Sequence, residues 1–332
     1  MVVAAVLVLL GAAVFLRSKA PPEAARLLPE SDGIVYIDLK PIRALAHLKN
    51  LKPPKRVPDY QEFVDATGID WERDLDQAAI GLHRMADPNG PNGPVAYSMV
   101  LVGKITGRRL NAWLESHAAT RETYAGKTIY DIPEEGRTVR VAQIGYDMVA
   151  VSNTPTPEQI HSIIDRHRTA ALPFSGSSLL QKHYHDVPLL SLAWGVGQIG
   201  LPFSESGAIK IFGFSLPLAA DSTIVASIAP ELPVPSALRL RIEEIARNND
   251  VAATQAAALT SLVTLARTLA VPLSDTTVNK GFKELVKTAV VKQTRDRVVV
   301  TATLPVSFIA GLVEGTGSGQ DSSPEPQNGG TQ

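Results

Sequence analysis

The chain has no cysteine, which removes disulfides, thiolate metal sites, a thiol nucleophile and the lipid-modified cysteine of a bacterial lipoprotein. Nor is there an excess of one charge. With 32 Lys and Arg against 33 Asp and Glu, no global field concentrates a polyanion, and nucleic acid is not expected as a partner. The Gly-x-Ser-x-Gly elbow, the phosphate loop and His-Glu-x-x-His are all missing. No cofactor is expected.

Apolar residues make up 45% of the chain and charged ones 20%, an ordinary globular balance that supports a sizeable core. Long apolar runs are scarce, and one stands apart: MVVAAVLVLLGAAVFL, residues 1 to 16. It is apolar on every side of a helical wheel, with Val2, Leu7, Leu10, Phe15 and Leu16 among its bulky members. An amphipathic surface helix would keep one wet face. As a helix it spans roughly 24 Å against roughly 30 Å of hydrocarbon. Arg17 and Lys19 flank it and Pro21 and Pro22 stop it. A cleaved signal would carry its basic residues ahead of the apolar run and a small-x-small site after it. The expectation is therefore an uncleaved, single-pass anchor over 1–20. Arg17 and Lys19 favour a cytoplasmic body, but the run opens without a basic leader, as when a true start lies upstream. An extracytoplasmic, periplasmic body is expected.

The body, about 290 residues, suits two compact units. GIVYIDL reads as a buried strand, followed by a helix opened by Pro41. PDYQEFVDATGI reads as a helix ended near Gly68, and GRRLNAWLESHA as another with Leu110, Trp113 and Leu114 on one side. QAAIGLHRM and VAYSMVLVGKI are strands of a broad hairpin. TVRVAQI and DMVAVSN form a tight one at Gly145 and Tyr146, leading to a helix capped by Thr156. Further on, LLSLAWGV, IKIFGFSL, STIVASIA and the alternating ALRLRIE are strands. A helix over Val251 to Ala270 starts at Asn249 or Asp250 and stops before Pro272. It carries one charge, Arg267, so cover on both sides is expected, from its own domain or from a protein partner or second copy at Ser261 and Thr264.

DMVAVSNTPTPEQIHSII from Asp147 aligns without gaps with DRVVVTATLPVSFIAGLV from Asp296, which suggests an internal repeat. The expected fold is α+β: a transmembrane helix (1–20), two related units of antiparallel sheet with helices on one face (21–180 and 181–314), and a disordered tail (315–332).

Three motifs invite chemistry. WGVGQIG places Gly195, Gly197 and Gly200 after a strand with Asp221 further on, but Pro202 breaks the helix a dinucleotide needs. Asp70, Glu72, Asp74 and Asp76 resemble a calcium loop, yet Leu75 and Gly81 occupy the positions of its glycine and final carboxylate. His161, Asp165, His167, His183 and His185 are the one source of metal ligands, and a metal-assisted hydrolase is the alternative function. SGSS at 175–178 reads as a cap or turn. No catalytic residue is assigned.

The order LLPESDGIVYIDLKPIR, YAGKTIYDIP, DMVAVSNTPTPEQIHSIIDR resembles a class of bacterial envelope proteins of unassigned role. The resemblance implies an apolar N-terminal segment, membrane attachment and an extracytoplasmic body, and it transfers no site residues. A binding or scaffold protein of the envelope, tethered to the bilayer by its opening segment, is the functional expectation.

Overall fold

Successive residues of one strand enter different cores, and that alternation sets the architecture. Ala78 packs with Ile69, Leu110 and Leu114, whereas Ala79 packs with Leu27, Ile160 and Ile163; Leu101 and Val100 divide in the same way. Adjacent strand residues face opposite ways, so both faces of the sheet are covered.

The computed structural model describes residues 20–45, 58–169, 176–198, 209–211, 214–216, 218–219, 222–231, 237–271 and 277–305. The first half runs α1 (Glu23–Leu27), β1 (Gly33–Asp38), α2 (Leu39–Leu45), α3 (Pro58–Thr67), α4 (Trp71–Asp74), β2 (Leu75–Arg84), β3 (Val95–Gly103), α5 (Arg108–His117), β4 (Thr120–Tyr124), β5 (Lys127–Glu134), β6 (Arg137–Gln143), β7 (Met148–Ser152) and α6 (Glu158–Arg168). The second runs α7 (Ser178–His183), a 3-10 turn (Tyr184–Asp186), β8 (Ala193–Gln198), β9 (Ile209–Ile211), β10 (Phe214–Leu216), β11 (Thr223–Pro230), β12 (Ala237–Ile245), α8 (Asn249–Ala270), α9 (Thr277–Thr288), β13 (Val290–Thr294) and β14 (Arg297–Pro305).

Twelve strands form one antiparallel sheet in the order β13-β14-β12-β11-β8-β1-β2-β3-β7-β6-β5-β4. This corrects the expectation of two sheets with helices on one face. Tyr36 of β1 pairs with Trp194 of β8, which fuses both halves into a single sheet. Helices α1, α6 and α7 cover one face; α3, α4 and α5, with α8 and α9 further along, cover the other. Read outward from the β1–β8 pair, β1-β2-β3-β7-β6 on one side meets the like order β8-β11-β12-β14-β13 on the other.

The expected transmembrane helix, with Val2, Leu7, Leu10, Phe15, Leu16, Arg17 and Lys19, lies outside the described residues, as does the tail. Among the described residues no helix is long and apolar enough to cross a membrane.

Local chemistry accounts for several smaller corrections. The residue before α6 is Pro157 and no side chain caps it; Thr154 Oγ1 instead donates to the Thr156 carbonyl at 2.9 Å. The cap of α8 is Asn248, not Asn249 or Asp250, so the helix begins two residues before Val251: the Asn248 side chain accepts from the Val251 amide at 2.9 Å. IKIFGFSL divides into β9 and β10, a two-stranded sheet of its own. The outer side of α8 is exposed at Thr254, Thr260, Ser261, Thr264 and Thr268 rather than covered. Their hydroxyls donate to carbonyls one turn back, at 2.7 to 3.2 Å, so these groups are satisfied within the helix.

Candidate functional site

Tyr36 and Trp194, partners across β1 and β8, stack with ring centroids 5.5 Å apart and 26° between planes. Tyr184 meets Trp194 edge-on, also at 5.5 Å. Such pairs contribute beyond the area they bury. Together they floor a cleft of about 610 Å³ on the α1–α6–α7 face of the sheet. Leu180, Val187, Pro188, Leu189 and Leu190 wall it on one side, and Pro21 and Pro22, just ahead of α1, on another. Asp38, Gln181, His185 and Ser191 supply its polar groups. Size and lining are those of a small-molecule site: mostly apolar, with a few polar groups.

Burial shifts Asp38, Tyr36 and Tyr184 toward their neutral forms. Burial raises the pKa of the Asp38 carboxyl, and the nearby Asp76 raises it further, against a hydrogen bond from the Lys40 amide at the start of α2. Burial likewise raises Tyr36, with Asp38 adding to the effect, and burial raises Tyr184. Ionised forms are disfavoured in such a cavity because water has been stripped from them.

A buried ion network holds the wall beside Tyr184. The Asp186 side chain is 6% exposed and receives Arg297 Nη1 at 2.7 Å; the same nitrogen reaches Glu243, 4% exposed, at 2.8 Å. Arg241 reaches Glu243 at 2.7 Å. The turn after α7 is thereby pinned to β12 and β14, and Ser227 of β11 lies between Trp194 and Arg241 in the strand register. His183 Nδ1 and His185 Nε2 approach Asp186 at 3.4 and 3.3 Å. Burial lowers the His183 pKa, with the hydrogen bond to Asp186 opposing it.

The remaining histidines do not join them. His161 pairs with Glu122 and stacks on Tyr124 at 3.8 Å, and Tyr124 donates to Asp165 at 2.8 Å. His167 lies beside Gly145 at the β6–β7 turn. Among the described residues no group of three or more His, Cys, Asp or Glu is arranged to hold a metal ion. The acidic run is structural: Asp70 caps α4 by accepting from the Glu72 amide at 3.1 Å, Asp74 binds Arg73, and Asp76 pairs with Arg43 at 2.6 Å. Gly195 and Gly197 lie within β8, not at a strand-to-helix turn, while Gly200 and Asp221 fall outside the described residues. Ser177 caps α7, accepting from the Leu180 amide at 3.3 Å.

No family model matches this chain, and neither does any curated protein. Among solved structures it is similar to TP0453. In crystal form III the identity is 12%, the match covers 89% of this chain and 99% of the other, and the TM-score is 0.47. In crystal form I the identity is 11%, the coverage 90% and 98%, and the TM-score 0.46.

A smaller cavity of about 50 Å³ lies beneath α8, lined by Ile242, Leu259, Leu262, Val263, Val298 and Val300 and by one acid, Glu244. Glu244 is 1% exposed. Its Oε1 accepts from the Ala219 amide and from Ser222 Oγ, both at 2.9 Å, while Oε2 has no partner among the described residues. Burial raises its pKa above the ordinary 4.5, against those two hydrogen bonds. A raised folded-state pKa contributes stability below the unfolded value that is lost as pH rises through the folded one. From about pH 4.5 upward, wild type should therefore lose stability that Glu244→Gln keeps. Urea unfolding of both proteins at pH 5 and pH 8 tests this, and parallel pH dependences would refute it.

Proposed function

We propose that this chain is a binding protein of the bacterial cell envelope, held at a membrane by residues 1–16, with the cleft over Tyr36 and Trp194 as its ligand site. The observation that carries the reading is the cleft: about 610 Å³, aromatic at its floor, mostly apolar in its walls, and opening beside Pro21 and Pro22. Its contents are chosen mainly by shape and by the burial of apolar surface. The wholly apolar opening run supports lipid attachment, since lipid satisfies a segment with no wet side. The resemblance to envelope proteins carried by LLPESDGIVYIDLKPIR and DMVAVSNTPTPEQIHSIIDR agrees with it. A periplasmic body completes the proposal.

Flotation of the full chain with phosphatidylcholine vesicles tests the attachment. The native chain should rise with the vesicles, and Leu7→Arg with Leu10→Arg should leave it at the bottom of the gradient, each charge opposing insertion by about 3 kcal/mol. Equal flotation of both proteins defeats the reading.

A further inference from the structure

Leu189 and Leu190 are 55% and 71% exposed, side by side at the mouth of the cleft. Lone exposed leucines are common and need no explanation. Leu190 is different, because its backbone has φ +66, a left-handed conformation that costs a leucine free energy and that glycine or asparagine adopts more readily. A large apolar side chain thus stands in water on a strained backbone where a smaller or more polar residue would be easier to hold. Strain of this kind is a starting point for a functional hypothesis.

The chain's own length fixes what lies near this turn. Pro21 and Pro22 line the same cleft, and five residues lead from Leu16 to Pro21, a reach of at most about 18 Å even fully extended. With residues 1–16 in a bilayer, as proposed above and on which this step rests, the cleft mouth is confined to the lipid headgroup region or just outside it. Apolar side chains on a body held there meet lipid rather than bulk water.

We infer that the Leu189–Leu190 turn inserts into the bilayer surface and that the cleft takes the acyl chain of a membrane lipid. The chain would pass between Leu189, Leu190 and Pro22 toward the Tyr36–Trp194 floor, while the polar head stays outside at the interface. Apolar walls and a floor of stacked rings suit a hydrocarbon tail.

The three tryptophans supply an internal control. Trp194 is at the cleft floor, whereas Trp71 and Trp113 pack around Phe63 with the core on the opposite face of the sheet. The probe is a phosphatidylcholine vesicle whose acyl chains carry bromine, a short-range quencher of indole emission. In full-length Trp71→Phe/Trp113→Phe, brominated vesicles should lower Trp194 emission at least twofold relative to unbrominated ones. Trp194→Phe, which keeps the other two indoles, should show no such loss. Leu189→Asp/Leu190→Asn should still float but lose most of the quenching. Because the sequence has no cysteine, Leu190→Cys bearing an environment-sensitive dye gives an independent reading if the tryptophan variants fold poorly. Dye emission that shifts to the blue and is quenched by brominated chains supports insertion.

Flotation without quenching of Trp194, or quenching that survives Leu189→Asp/Leu190→Asn, overturns the acyl-chain site and leaves the membrane-held reading standing. A chain that fails to float overturns both.

Discussion

Gly103→Ala should destabilise the protein by about 3 kcal/mol and leave little folded material at 37 °C. A methyl group on Gly103 would stand 2.1 Å from the Asp74 carbonyl oxygen, 2.9 Å from the Asp76 amide nitrogen and 3.0 Å from the Leu75 Cα. All three are backbone atoms, which cannot swing aside as a side chain would. The crowding arises where β2 and β3 slip register: Leu75 pairs with Gly103 and Gln77 with Val102, leaving Asp76 as the extra residue. Such a bulge bends the strand and re-aims a side chain. Here it presents Asp76 to Arg43 at 2.6 Å, which fastens α2 against β2. The same α2 follows directly on Asp38, the last residue of β1, which lines the cleft, so the damage should reach the candidate site. Thermal unfolding by circular dichroism measures the loss, and a melting temperature within a degree or two of wild type would refute the account.

The bulge is also a place where sequence reading stops. LDQAAIGLHR and VAYSMVLVG announce strands by their apolar runs, but nothing in the spacing marks Asp76 as unpaired. Element type was legible wherever periodicity was strong, as in α5, α6, α8 and β12. Strands β4 and β5 were missed because TRETY and KTIYDIPE alternate weakly, with four of the first five residues exposed. Helix α9 was missed although Val278, Phe282, Leu285 and Val286 recur at helical spacing; it runs into β13 after a single residue, so no stop signal sets it off from the strand. The division into two sheets failed for a different reason. Pairing of β1 with β8 is a long-range choice between edges, and the edge pattern of GIVYID is that of any buried strand. The cleft depends on that same pairing, since its floor is one residue from each strand. Tyr36 and Trp194 could be read as buried aromatics but not as neighbours.

The second large effect is expected at Arg297. Replacing it with alanine leaves Asp186 without a strong cationic partner and Glu243 with Arg241 alone, two carboxylates 6% and 4% exposed. Breaking a buried ion pair from one side costs about 3–5 kcal/mol, because the remaining charge stays desolvated. Arg297 is itself 36% exposed, so solvent screening places the expectation near the lower end, about 3 kcal/mol. Arg297→Lys should recover part of this, since both carboxylates are met by the single nitrogen Nη1, whose charge an ammonium keeps on a shorter side chain. The loss should also have a spatial signature. Asp186 ends the turn that carries Tyr184, so Arg297→Ala should loosen the cleft wall and increase solvent quenching of Trp194. Urea unfolding gives the first quantity and acrylamide quenching of Trp71→Phe/Trp113→Phe the second. A cost under 1 kcal/mol would show that the network is ornamental.

The central pairing of β1 also has a consequence in time. One neighbour, β2, is synthesised soon after β1, but the other, β8, arrives only once Ala193 has been made. Throughout that interval a nascent chain carries a bare strand edge of apolar residues in what will become the middle of the sheet. Chaperones that shield strand edges during synthesis would therefore act at the molecule's midline, and a chain truncated before β8 would aggregate through its centre, not its ends.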